Sequence, residues 1–217
     1  MMIENLIHSI QQLYPDCPIT KSHSVCCINE SNEKASVRQL SFDIQESVVV
    51  DTTFVKSLSR FFQSNKSDEV FGKECDGIIL FEHNDKNYCF LVELKSAFDT
   101  KEIDKAQKQI LSTHVKLNMA LGLLADYSKS DFEFIGIIAS QKPTDNRLRW
   151  IESMNRLPDD DPAKKPHLFP IKLFFENYLE EKSYRLNPNC MYEKMKYCHV
   201  TVPPDSSIYK ADIAKFL

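Results

Sequence analysis

Two β-rich runs, CDGIILFE (75–82) and NYCFLVELK (87–95), are separated by four turn-forming residues, His83-Asn84-Asp85-Lys86. This spacing leaves little freedom: apolar β-formers on either side of a short Asn/Asp-containing turn predict an antiparallel hairpin. With the turn centred between Asn84 and Asp85, paired residues have numbers summing to 169. Because side chains alternate faces along a strand, Glu93 and Lys95 share one face and Val92 and Leu94 the other. The register then sets Asp76 opposite Glu93 and Glu74 opposite Lys95. Opposed residues bring their Cβ atoms to roughly 4.5–5.5 Å, and two carboxylates there destabilise the pair unless something compensates them.

A divalent cation is one such compensation. Mg²⁺ takes oxygen ligands, commonly one or two carboxylates, and keeps positions for water and phosphate. Asp76 and Glu93 supply the carboxylates and the Leu94 backbone carbonyl a further oxygen. Lys95 is placed to orient a water and to neutralise charge building on a phosphoryl group.

The flanking sequence predicts the rest of an α/β unit. Ile3, Leu6, Ile7, Ile10 and Leu13 mark an amphipathic helix over 2–14, ended by Pro15. Residues 35–44 alternate weakly and read as a strand. Asp51-Thr52-Thr53 caps a helix carrying Phe54, Leu58, Phe61 and Phe62. After the hairpin, Asp99-Thr100 opens a long helix to about Ala125, with Ile103, Ala106, Ile110, Leu117 and Leu121 on one side, and Phe132–Ser140 reads as a buried strand. Beyond Pro143 the pattern predicts a short helix over 146–155, a loop over 158–166, strands at 170–176 and 197–202, and a helix over 207–217. The expectation is a single domain over 1–217, an α/β sandwich around a central mixed sheet.

An aspartate beginning a strand, then a hairpin, Glu93-Leu94-Lys95 and a long helix, resembles the PD-(D/E)xK nuclease superfamily. The resemblance covers about residues 50–140, with N-terminal helical and C-terminal α/β extensions outside it. It implies a restriction-endonuclease-like αβββαβ core with the central mixed β-sheet flanked by helices, and a Mg²⁺-dependent deoxyribonuclease, with Mn²⁺ as an alternative cation. Asp76 and Glu93 would hold the metal, Lys95 would be catalytic, and a residue of the following helix would support the site. Gln107 is the preferred match, with Gln109 and Lys105 as rivals. The sequence departs from the family at Cys75, where the motif's name has proline. The helix before the hairpin also lacks the glutamate many members carry, leaving Glu46, Asp51, Glu69 or Glu74 to serve. The alternative is a catalytically inactive binding or assembly subunit of the same fold.

Composition narrows the partners. Four scattered glycines (Gly72, Gly77, Gly122, Gly136) build neither a dinucleotide-binding turn nor a P-loop. A net charge of −4 offers no global attraction to DNA, so binding would be local, through the cation and through Lys101, Lys105, Lys108 and Lys116, which suit an ordinary solvated helix face equally well, with the later Lys142, Arg147, Arg149, Lys164 and Lys165 as extensions. Target recognition would come from a homodimer, a partner subunit or DNA structure. Seven cysteines without a C-x-x-C pair suit buried thiols in a reducing cytosol. His23 with Cys26 and Cys27, and Cys190 with Cys198 and His199, match no standard zinc spacing. His114 reads as a core histidine, His83 as an exposed turn residue, and Trp150 as a core side chain. No apolar run approaches 18 residues, so no membrane span and a cytoplasmic location are expected.

Overall fold

The computed structural model describes residues 2–58, 73–125, 127–176, 178–182 and 194–217. In chain order the elements are α1 (Met2–Leu13), β1 (Ile19–Ser22), β2 (Val25–Asn29), β3 (Gln39–Asp43), β4 (Ser47–Val50), α2 (Thr52–Leu58), β5 (Gly77–His83), β6 (Lys86–Lys95), α3 (Thr100–Leu121), β7 (Phe132–Gln141), α4 (Asp145–Asn155), α5 (Leu168–Glu176), β8 (Tyr178–Lys182), β9 (Lys194–Val202) and β10 (Ile208–Ala211). Seven strands form one mixed sheet in the order β1-β4-β5-β6-β7-β9-β8, and β10-β3-β2 form a second, smaller sheet. In the large sheet β6, β7 and β9 run parallel, and every other pairing is antiparallel.

Alternation along the central strands sorts two cores. Ile78, Leu80, Cys89, Leu91 and Ile138 face the helices, packing with Leu6 and Ile10 of α1, Phe54 and Val55 of α2, and Ile103, Ile110 and Leu117 of α3. Ile79, Phe81, Phe90, Val92, Leu94, Ile135 and Ile137 face the other way, onto Ile28, Leu40 and Phe42 of the small sheet. The sheet is therefore flanked by helices on one face and by three strands on the other. The expected αβββαβ order also shifts. The described residues between α2 and α3 contain two strands, and the strand beside β5 is β4, which precedes α2.

The hairpin follows the predicted register from His83↔Lys86 to Gly77↔Val92, every pair summing to 169. Its turn residues Asn84 and Asp85 hold φ of 49° and 60°, the left-handed conformation of a two-residue hairpin turn that asparagine and aspartate tolerate. All five apolar residues predicted for one side of α3 are buried there. The helix starts as expected, with the Asp99 side chain accepting from Lys101 N–H at 2.9 Å.

The C-terminal quarter departs from expectation. Residues 170–176 belong to helix α5, because Phe169, Ile171 and Leu173 are buried on it and Pro170 lies in its first turn, where a missing N–H leaves no helical bond unmade. Residues 207–217 hold β10 and a single 3-10 turn, Ile213–Lys215, since β10 is drawn into parallel pairing with β3. The predicted segment at 197–202 lies within β9 and the one at 146–155 within α4. Phe61, Phe62, Glu69, Gly72 and Cys190 lie outside the described residues.

Candidate active site

The ladder of the hairpin breaks at its open end. Asp76 N–H donates to Val92 O at 2.9 Å, one residue short of the register, so Asp76 and Gly77 both lie against Val92 in the manner of a β-bulge. Asp76 is consequently not directly opposite Glu93, as the extrapolated register had it. Its carboxylate is re-aimed along β6 and accepts the Leu94 N–H at 2.7 Å. The N–H and C=O of one strand residue point to the same edge, so the Leu94 carbonyl also faces the Asp76 side.

Bulging here needs space on the opposite face. A Cβ on Gly77 would lie 2.2 Å from Ile28 Cδ1 and 2.7 Å from both Ile28 Cγ atoms. The small sheet thus presses onto the hairpin at the residue after Asp76, the room that a glycine at this position provides.

On the helical face, Glu93 and Lys95 are both buried, at 2% and 9% exposure. Lys95 Nζ donates to Glu93 Oε1 at 2.6 Å and to Gln109 Oε1 at 2.9 Å, and Glu102 Oε2 lies 3.9 Å away. The second Glu93 oxygen, Oε2, is buried without a hydrogen-bond partner among the described residues. Burial and the neighbouring Asp76 raise Glu93 to about 8 against the pull of Lys95. Burial also raises Asp76 to about 6; the Leu94 N–H opposes that rise and Glu30 adds to it. One lysine does not neutralise two carboxylates, and burial makes the remaining charge costly.

The third acidic neighbour, Glu30, follows β2 on the small sheet. It is not one of the described candidates Glu46, Asp51 and Glu74, because the small sheet approaches the open end of the hairpin through Ile28 and through Ser36 N–H, which donates to Ser96 Oγ at 3.1 Å; Glu69 lies outside the described residues. Glu74 is engaged elsewhere: its carboxylate accepts Lys116 Nζ at 2.7 Å.

A polar stripe on α3 ties these pieces together. Glu102, Gln109, Thr113 and Lys116 are spaced at i, i+7, i+11 and i+14 and share a helix face. Gln109 Nε2 donates to Glu74 O at 3.0 Å, and Thr113 Oγ1 accepts Cys75 N–H at 2.9 Å. Gln109 therefore holds Lys95 with one end of its amide and the chain before Asp76 with the other. This corrects the preference for Gln107. Two residues apart on a helix is a rotation of about 200°, so Gln107 faces away from Lys95.

The other predicted residues divide by environment. Lys101 and Lys105 are exposed on the first turns of α3, Lys105 lying 3.6 Å from Glu102, and Lys108 is half-buried. Lys116 is removed from any DNA-facing role by burial and its pairing with Glu74. Lys164 is likewise buried, donating to Asn155 O and Leu157 O and pairing with Asp159. Arg147 pairs with Asp99 and lies 4.4 Å over the Trp150 ring, which packs half-buried against the core. His114 is a core residue, edge-on to Phe134, and His83 is exposed in its turn.

The donor set suits a hard cation in part. Oxygens of Asp76 and Glu93, together with the Leu94 carbonyl, are hard ligands, and Glu93 Oε2 is an orphaned buried acceptor. Among the described residues no three His, Cys, Asp or Glu side chains converge as a metal-holding group, so protein ligation would stop at two carboxylates and leave the remaining positions to water and substrate. No helix among the described residues is long and apolar enough to cross a membrane. No family model matches the chain, and neither the curated proteins nor the solved structures provide a match.

Proposed function

We propose that the chain is a metal-dependent nuclease that hydrolyses DNA phosphodiester bonds, with a restriction-endonuclease-like core built from β4, α2, β5, β6, α3 and β7. The observation that carries this reading is the buried Glu93 carboxylate, one oxygen on Lys95 and the other without a partner among the described residues, beside the bulged Asp76. Asp76, Glu93 and the Leu94 carbonyl would hold Mg²⁺ or Mn²⁺. When bound, such a cation supplies Lewis-acid polarisation of a phosphoryl oxygen and a more acidic water. Lys95 stabilises negative charge developing on the phosphate, an effect strengthened by its burial. Gln109 fixes the Lys95 ammonium, and Lys101 and Lys105 offer charge to flanking phosphates. The test incubates supercoiled and linear DNA with the protein and Mg²⁺ or Mn²⁺ beside Glu93→Ala and Lys95→Ala. Cleavage by the wild type alone supports the reading, and equal cleavage by all three removes the site.

A second reading, a binding or assembly subunit without activity, draws on the same contact. A lysine held at 2.6 Å from Glu93 and 2.9 Å from Gln109 is also how a stable buried ion pair is built. Absence of cleavage of DNA or RNA by every variant would favour it.

A further inference from the structure

We infer that Glu102, on the first turn of α3, is a positioning residue that receives Lys95 when a divalent cation occupies the Asp76–Glu93 carboxylates; the inference rests on the nuclease reading of that site. Lys95 has three N–H donors. Two are used, by Glu93 Oε1 at 2.6 Å and Gln109 Oε1 at 2.9 Å, and the carboxylate of Glu102 stands at 3.9 Å, within ion-pair reach but beyond a hydrogen bond. Glu93 is thus committed to Lys95 while no cation is bound, and a cation that takes Glu93 competes with the ammonium for it.

Repulsion between a divalent cation and Lys95 drives the ammonium away from Glu93. Its way out is set by what is fixed and what is free. Gln109 is anchored at its far end to Glu74 O at 3.0 Å and stays in place. Among the described residues, the recorded ion pairs of Lys95 are with Glu93 and Glu102, so Glu102 is the carboxylate left to it. Glu102 is half exposed and free to close the gap, and its other partner, Lys105 at 3.6 Å, is a surface side chain. Pivoting on Gln109 toward Glu102 frees Glu93 for the cation and keeps the ammonium charge beside the reacting phosphate.

The test is a Mn²⁺ titration followed by the EPR signal of the free ion, on the full chain without DNA. Glu102→Gln is expected to weaken Mn²⁺ binding about twofold to fivefold, the range of a half-exposed ion pair, and Glu102→Asp to recover part of it. A general field effect of a lost acidic charge would give the same sign, so the deciding measurement is a double-mutant cycle with Lys95→Met, or with Lys95→Gln if the methionine variant does not fold. With Lys95 gone, Glu102→Gln is expected to leave Mn²⁺ affinity unchanged. Equal weakening in both backgrounds would mean that Glu102 acts on the cation directly and would overturn the inference, as would an unchanged affinity of the single variant. A wild type that binds no Mn²⁺ would overturn the metal reading itself and this inference with it, an outcome distinct from the other two.

Discussion

Ile28 of the small sheet occupies the space that a side chain on Gly77 would need, its Cδ1 lying 2.2 Å from the site of a Cβ. Three atoms of the isoleucine fall inside contact distance, so its whole side chain would have to move. Gly77→Ala is expected to destabilise the fold by about 1–3 kcal/mol, the cost of overpacking a filled interior. Gly77→Ala combined with Ile28→Ala is expected to lose less than the two single changes added together, since the truncated side chain leaves room for the new methyl. Urea denaturation of the wild type, both single variants and the double variant checks this, and a fully additive double variant would show that the contact is not the cause.

Lys116 and Glu74 test a different contact. Lys116 is buried, with side-chain exposure at 2%, and Glu74 is largely so at 12%, the two 2.7 Å apart. Removing one partner of such a pair strands the other charge, so Lys116→Met is expected to cost about 3–5 kcal/mol, with Lys116→Met/Glu74→Gln less destabilised than the single variant. DNA affinity of the folded fraction should not change, since the lysine is inside the protein. A loss of affinity without a loss of stability would return Lys116 to the DNA-facing set.

Gln109 and Gln107 separate by activity. Lys95 loses a charge-assisted hydrogen bond in Gln109→Ala, and the chain before Asp76 loses its tie to α3. Such bonds contribute about 1.5–3 kcal/mol, so the cleavage rate is expected to fall roughly tenfold to a hundredfold. Gln107→Ala is expected to cleave at the wild-type rate. The reverse pattern would reinstate Gln107.

The choice between these two glutamines illustrates what the sequence could reveal. Asp76, Glu93 and Lys95 were legible because a two-residue turn fixes a hairpin register locally, and Asn84 and Asp85 advertise that turn. The apolar stripe of α3 was legible for the same reason, being set by a 3.6-residue period. The rotation of α3 about its axis against β6 is a tertiary quantity, and Gln107 against Gln109 depends on it. A signal was present: Glu102, Gln109, Thr113 and Lys116 form a stripe about 90° around the helix from Ile103 and Ile110, and polar residues repeated at heptad-like spacing beside the apolar stripe point to one shared set of partners. The small sheet left less trace. Strands β2 and β3 are five residues each, and β10 pairs with β3 from more than 160 positions away. Such pairing imposes no period on the chain, and Glu30 became a neighbour of Asp76 only through it. The β-branched run Val48–Val50 is the local cue to β4.

Stability against pH provides the last test. Asp76, Glu93 and Asp104 are raised by burial to about 6, 8 and 7, so the folded state holds protons that the unfolded state has released. Their contribution is full below the unfolded carboxylate range and is lost as pH rises through the folded values. His114 and His199 act oppositely. Burial lowers them to about 3 and 4, so their contribution is full above the unfolded histidine value near 6.5 and is lost as pH falls. The two sets oppose each other between about pH 4 and 6.5, and above 6.5 the carboxylates act without the histidines. The buried thiols Cys17, Cys26 and Cys198, raised to about 11, add a decline of the same sign once unfolded thiols ionise near pH 8.5, so the window of the carboxylates ends below it. In EDTA the melting temperature is therefore expected to decline from pH 6.5 to about 7.5 through the carboxylates. Glu93→Gln should remove the largest part of that decline, because Glu93 has the highest folded value of the three. Mg²⁺ should flatten it in the wild type, since a bound cation stabilises the ionised carboxylates, and should do little in Glu93→Gln. Melting curves at four pH values with and without Mg²⁺ measure both effects. A decline of the same size in Glu93→Gln would place its origin elsewhere in the fold.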